Sequence, residues 1–135
     1  MQIRKIKAKE TWPLRHMVMW PDRPLEFVQL PEDHSGTHYG LFVDDKLVSV
    51  VSLFLKDNQL QFRKFATLVD KQGMGYGSKL LRYVMNEYLS SEIHSIWCNA
   101  REEKCLFYER FGLKQTKQKF SKAGINYIIM KKSIN

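Results

Sequence analysis

The sequence predicts an α/β fold in which a mixed, α+β-type sheet is built from the element order β-α-β-β-β-α-β-α-β-β. Three observations carry that expectation. Between residues 39 and 69, three apolar segments are separated by Asp44-Asp45 and Asp57-Asn58, turn pairs that suit tight antiparallel hairpins. From Tyr76 to Tyr88, apolar residues fall on one helical stripe. With 135 residues, 44% hydrophobic and 27% charged, the chain has the size and balance of one domain spanning residues 1–135, whose core needs no disulfide staples. Disorder, a collagen-like repeat and a disulfide scaffold are excluded.

Ile3 to Lys7 alternates apolar and basic side chains and reads as a first strand. A short amphipathic helix follows from Glu10 or Thr11 to Met19. Trp12, Leu14, Met17 and Val18 form its apolar side, and Pro13 is tolerated in its first turn. Trp20-Pro21-Asp22-Arg23-Pro24 ends this helix, because proline disfavours the α region at the residue before it. The stretch to Gly36 reads as a long loop with a helical turn at Leu25 to Leu30.

Three strands then run Tyr39 to Val43, Leu47 to Leu55 and Leu60 to Val69. In the third, Leu60 and Phe62 sit on even positions, whereas Phe65, Thr67 and Val69 sit on odd ones. A two-residue period cannot keep both sets on one face, so a β-bulge near Arg63-Lys64 is expected. A strand buried on both faces is the alternative. The order is completed by a helix from after Gly75 to about Leu89, with Tyr76, Leu80, Leu81, Val84, Met85 and Tyr88 as its stripe. A strand from Ser95 to Asn99 and a helix from Glu102 to Phe111, stopped by Gly112, come next. The last hairpin is Leu113 to Phe120 and Ile125 to Lys131.

Lys and Arg number 22 against 14 acidic residues, a formal net charge of +8. That field favours an anionic partner without selecting one. The basic residues are spread out, with a mild cluster from Lys114 to Lys122 that lacks the aromatic interleaving of a single-strand stacking platform. No nucleic-acid partner is therefore expected. The first residues lack the apolar stretch of a signal peptide, and no apolar run reaches membrane-spanning length. A soluble, cytoplasmic protein with no membrane partner is expected. No His/Cys cluster has metal-ligand spacing, so no metal is expected, and Cys98 and Cys105 should pack as buried thiols.

The strongest local signal is Gln72-Gly73-Met74-Gly75-Tyr76-Gly77, between a strand and a helix N-terminus. Three glycines let the backbone turn tightly and bring N–H groups toward one point. The helix adds its unpaired first-turn donors and its positive dipole end. The combination suits a phosphate or pyrophosphate. It is not a Walker A loop, because Gly77 is followed by Ser78-Lys79 rather than Lys-Ser/Thr. Nor is it a dinucleotide fingerprint, whose glycine spacing and parallel first strand are both missing.

The Gln/Arg-x-x-Gly-x-Gly/Ala pattern at Gln72 to Gly77 resembles the acyl-CoA pyrophosphate loop of GNAT N-acetyltransferases. Phe107-Tyr108-Glu109-Arg110-Phe111-Gly112-Leu113 is similar to that family's Phe/Leu-Tyr-Glu-x-x-Gly-Phe segment, and the element order agrees along the whole chain. The resemblance implies a GNAT acyl-CoA N-acyltransferase fold with a splayed central sheet and acetyl-CoA as cosubstrate. It implies a V-shaped opening between the strand ending at Val69 and the strand Ser95 to Asn99. Backbone groups of Phe65, Ala66 and Thr67 would meet the pantetheine arm there. Backbone N–H groups of Gly73, Met74, Gly75, Tyr76, Gly77 and Ser78, with Gln72 at the loop's start, would hold the pyrophosphate. Tyr108 matches the family's general acid, which protonates the departing thiolate. A strand N–H, at Phe65, would polarise the acetyl oxygen.

Three residues depart from the family pattern. Gln61 stands where some members carry a glutamate base, Arg101 where many carry an Asn, and Leu113 where a Phe is usual. The base is left to a water chain, His34 or His38. The acceptor would enter over Arg15 to His38, where Trp20, Arg23, Glu26, Phe27, Glu32, Asp33 and His34 describe a site for a cationic amine and a solvated lid equally well. The expected function is acetyl transfer from acetyl-CoA to a small-molecule or peptide amine, by a monomer or homodimer. A non-catalytic acyl-CoA-binding regulatory module and an RNA- or ribosome-associated protein are the competing readings.

Overall fold

In the computed structural model, which describes residues 1–89 and 91–134, the elements follow in the expected order. They are β1 (Gln2–Ile6), α1 (Ala8–Met19), β2 (Thr37–Val43), β3 (Lys46–Lys56), β4 (Gln59–Thr67), α2 (Tyr76–Tyr88), β5 (Ser95–Arg101), α3 (Cys105–Glu109), β6 (Lys114–Lys122) and β7 (Ile125–Ser133). All seven strands join one sheet in the order β1-β2-β3-β4-β5-β7-β6. Neighbours are antiparallel except β4 and β5, which run parallel because α2 crosses between them.

The hairpin turns are where the acidic pairs place them. Asp44, Asp45, Asp57 and Asn58 have φ of 51°, 63°, 52° and 61°, the left-handed region that short Asp and Asn side chains tolerate. α2 lays Leu80, Leu81, Val84 and Met85 onto one face of the sheet, against Leu53, Leu60, Phe62 and Ile96. α1 covers the opposite face, where Leu14 packs with Val50 and Ala66. β3 lies between these layers and is buried on both sides from Val48 to Leu53. Each such aliphatic side chain contributes roughly 1.5–3 kcal/mol on burial.

Several boundaries differ from the sequence reading for local reasons. α1 begins at Ala8, because the Glu10 carboxylate accepts the Lys7 backbone N–H at 2.9 Å and caps an earlier first turn. Pro13 therefore lies in the second turn, where it cannot donate to the Lys9 carbonyl. Met17 is exposed at 60%, and the fully buried positions on that helix are Thr11 and Arg15. The loop after α1 holds short 3₁₀ turns at Leu25–Val28 and Asp33–Ser35. β4 ends at Thr67, and Val69, 71% exposed, opens another 3₁₀ turn. The segment expected as one helix from Glu102 divides into a 3₁₀ turn at Glu102–Lys104 and the short α3.

Candidate active site

The parallel ladder between β4 and β5 is short: Gln59↔Ser95, Leu60↔Ile96 and Gln61↔Trp97. Beyond it the two strands part, and the space between them is a cleft of about 740 Å³, within the usual range for small-molecule sites. What bends β4 away is the bulge. Ser52 pairs with Arg63 and Val50 with Ala66, so Val51 alone faces both Lys64 and Phe65. Lys64 takes the strain, with φ of 55°. The extra residue returns Phe65 to the face of Phe62, so the bulge, and not a strand buried on both faces, accounts for the parity change in the sequence. The Phe65 and Phe62 rings lie 6.5 and 5.6 Å from that of Tyr108.

The glycine loop closes one end of this cleft. Gly73 and Gly75 have φ of 80° and 84°, and a Cβ at either would meet nothing within 4 Å, so the loop presents bare backbone. Gln72 ties the loop to β4 by donating from Nε2 to the Thr67 carbonyl at 2.9 Å. Ser49 fixes the strand end from β3, donating to the Ala66 carbonyl at 3.1 Å with its Oγ 2.9 Å from Thr67 Oγ1. Gly77, in the first turn of α2, lies against Thr67 and Phe65. The loop N–H groups and the α2 N-terminus thus open on the cleft beside Lys71, a donor set that fits a pyrophosphate.

Tyr108 lines the same cleft from α3, half-buried among Phe62, Phe65 and Phe107. Burial pushes its phenol well above the ordinary range, Cys98 adds to the rise, and Arg101 opposes it. The side chain is therefore protonated at neutral pH and able to donate. Cys98 and Cys105 are free and buried, and burial pushes both thiols up, as expected of packing cysteines.

Of the residues singled out in the sequence, Phe65, Ala66, Thr67, Gln72, Gly73, Gly75, Tyr76, Gly77, Ser78 and Tyr108 all line this one cleft. Met74 does not; it is 58% exposed, so only its backbone is available to the loop. Gln61 closes the ladder opposite Trp97 and is also outside the lining. Neither histidine lies there. His34 is exposed, with Nδ1 2.9 Å from the Pro31 carbonyl. His38 is buried, with Nε2 2.9 Å from the Asp33 carbonyl and Nδ1 2.6 Å from Ser52 Oγ. A carbonyl only accepts, so Nε2 carries the proton and Nδ1 is occupied by the serine; His38 has no free site for a substrate proton.

The loop after α1, over which the acceptor was expected to enter, is held by a network absent from the sequence reading. Arg15, fully buried, meets Asp33 through Nη1–Oδ2 at 2.8 Å and Nη2–Oδ1 at 2.9 Å. It also donates to the Val28 carbonyl and to Ser52 Oγ, each at 2.8 Å. The Trp12 indole and the Leu30 N–H donate to Asp33 Oδ2, both at 3.0 Å. Burial alone would raise the Asp33 carboxyl; the donors from Arg15, Leu30 and Trp12 outweigh it and hold the group at about 2. Glu32 pairs with Arg63 at 2.6 Å. Of the three carboxylates singled out on this stretch for a cationic acceptor, Glu32 and Asp33 are thus already engaged.

Lys64 is the residue of the cleft that composition and motif both missed. Burial, with Lys122, Arg15, Arg63 and Arg101 as like charges around it, lowers its ammonium from 10.5 to about 8. The signal for it was the parity break itself, which places an unpaired residue at the bend.

Among the described residues no group of three or more His, Cys, Asp or Glu side chains is placed to hold a metal, and no helix is long and apolar enough to cross a membrane. Comparison with known proteins agrees with the geometry. The chain is 28% identical to the uncharacterized N-acetyltransferase YitI of Bacillus subtilis (strain 168), over 99% of this chain and 97% of that protein. Its fold superposes on a candidate N-acetyltransferase from Lactobacillus plantarum with a TM-score of 0.83 at 20% identity, covering 100% of both chains. A GNAT family acetyltransferase from Elizabethkingia anophelis, solved with acetyl-CoA bound, superposes with a TM-score of 0.77 at 14% identity, covering 98% of this chain and 97% of that one. The family model for the acetyltransferase (GNAT) domain matches residues 24–134, and the chain therefore belongs to the GNAT acetyltransferase family.

Proposed function

We propose that this protein transfers an acetyl group from acetyl-CoA directly to a primary amine of a small molecule or peptide. The observation that carries the reading is that the glycine loop, the bent backbone of Phe65 to Thr67 and the Tyr108 side chain all face one cleft. Acetyl-CoA supplies the acetyl group as a thioester. Backbone donors from Gly73 to Ser78 would anchor its pyrophosphate, and the β4 backbone freed by the bulge would bind the pantetheine arm as a further strand partner. The Phe65 N–H would hold the carbonyl oxygen as charge builds there.

In the transfer, the amine nitrogen forms a bond to the carbonyl carbon and the carbon–sulfur bond breaks. Tyr108 gives its proton to the sulfur, and the amine loses a proton to solvent, which restores the phenol. Burial raises Tyr108, but it raises a thiolate in the same pocket too, so the proton transfer stays feasible. Glu103, exposed at the rim, is the one acidic residue among the lining residues. That scarcity of carboxylates favours the second reading, an acyl-CoA-binding module without turnover.

Thermal unfolding with acetyl-CoA, CoA and ATP tests the site. Ligand at 100 times its dissociation constant should add about 2.7 kcal/mol, a rise of roughly 5–10 °C for a domain of this size. A shift with both CoA species and little with ATP is the expected result. No shift with any of them would remove the reading. Thiol release on adding amines then separates an enzyme from a binding module.

A further inference from the structure

We propose that the amine acceptor of this cleft also carries a carboxylate or phosphate, held by Arg101 and Lys64 with Lys122 at the rim. The inference rests on the acyl-transfer reading above and names the substrate class for it.

The charge balance is the first argument. Among the described residues the ion pairs are Arg15–Asp33 and Arg63–Glu32. Lys64, Arg101 and Lys122 have no carboxylate partner among them. Yet these three lie close enough that Lys122 and Arg101 both act on Lys64 as like charges. Clustering uncompensated cations in a partly buried cleft is unfavourable unless an anion completes the set.

Arg101 gives the second argument. Its Nε is buried and has no hydrogen-bond partner, and its Nη2 makes only a long 3.3 Å contact to the Met19 carbonyl at the end of α1. A guanidinium so placed has unused donors, and its planar fork matches a carboxylate or phosphate.

Position decides which anion. Arg101 reaches toward α1 and its loop, 5.3 Å from the Trp20 ring, and Lys122 lies 5.5 Å from the Phe27 ring of the same loop. Both therefore stand on the side where an acceptor enters, not at the glycine loop that suits the cosubstrate's pyrophosphate. Arg101 lines the same cleft as Tyr108 and acts on its phenol, which places that guanidinium near the reacting end. A polycationic amine would meet like charge from Lys64 on β4, Arg101 on β5 and Lys122 on β6, and Glu103, the one carboxylate among the lining residues, is exposed.

The test uses the full chain saturated with CoA. Binding of beta-alanine, phosphoethanolamine, propylamine and putrescine is measured by calorimetry, and thiol release with the same amines is followed after acetyl-CoA addition. A preference of about 10- to 100-fold for the two acidic amines is expected, the range of a hydrogen bond to a charged group. Arg101→Gln should abolish that preference while leaving CoA affinity unchanged, and Arg101→Lys should restore part of it. Lys122→Gln, on an exposed hairpin, should reduce it without affecting folding. Equal or tighter binding of propylamine or putrescine to the CoA-saturated protein would overturn this inference and leave the acyl-transfer reading standing. Failure to bind CoA at all would overturn both.

Discussion

Gly77 lies so close to Thr67 that a Cβ on it would stand 3.0 Å from the threonine Oγ1, and 3.1 Å from the Phe65 ring. The first turn of α2 and the bent end of β4 are thereby held at the separation that lets both face one ligand. Gly77→Ala should push that turn outward and weaken acetyl-CoA binding about tenfold, or roughly 1.4 kcal/mol. Titration calorimetry reads it. An unchanged affinity with a higher melting temperature would mean that Thr67 turns aside and only alanine's helix propensity is felt.

The Arg15–Asp33 pair makes a second prediction. Breaking a buried pair leaves one charge uncompensated, so Asp33→Asn should cost about 3–5 kcal/mol in urea unfolding at neutral pH. The Asp33 carboxyl is lowered from 3.8 to about 2 on folding. Its stabilising contribution is therefore complete above pH 3.8 and is lost as pH falls toward 2. The stability gap between the parent and Asp33→Asn proteins should narrow over that window. A constant difference down to pH 2 would show that the carboxylate's charge is not what holds the loop.

Tyr108→Phe removes the proton donor and keeps the ring between Phe62 and Phe107. Turnover should fall about 10²- to 10⁴-fold with acetyl-CoA affinity unchanged. Undiminished turnover would place the acid elsewhere.

Lys64 makes a prediction of opposite sign. Its folded value, about 8, lies below the unfolded 10.5. The cost of burying its charge is fully present below pH 8 and fades as pH rises toward 10.5, where both states become neutral. Lys64→Met keeps the bulge backbone and should raise the melting temperature at pH 7, an advantage that shrinks at alkaline pH. Binding of an acidic amine near pH 8 should take up protons as Lys64 recharges beside it, in the field of Lys122, Arg15, Arg63 and Arg101. Calorimetry in buffers of different ionisation enthalpy measures that uptake; none would remove Lys64 from the anion's contacts.

The hairpins and the bulge were legible because each is a local rule. Asp44-Asp45 and Asp57-Asn58 are residues that tolerate positive φ, and the shift from even to odd apolar positions after Phe62 has one repair. The glycine loop stood out as a motif of its own, and the Phe-Tyr-Glu segment only through its resemblance to the family. Arg15 was not legible, because its partner lies 18 residues away across a proline-rich loop, and an isolated arginine on a helix reads as solvated. Leu14 beside it did mark that side as apolar. The way the loop after α1 is held was illegible for a similar reason: Glu32 and Asp33 look free in sequence and are paired in space.

The three-residue register between β4 and β5 bears on how the molecule comes apart. Hydrogen-bond continuity across the sheet is thinnest there, so β1–β4 and β5–β7 are joined by few backbone rungs and by the apolar core they share. Native-state hydrogen exchange should find the backbone on either lip, residues 62–67 and 98–101, opening well below the global unfolding free energy. A ligand strand laid between the lips would supply the missing rungs, so the slowest amides of the two halves would then exchange as one cooperative unit.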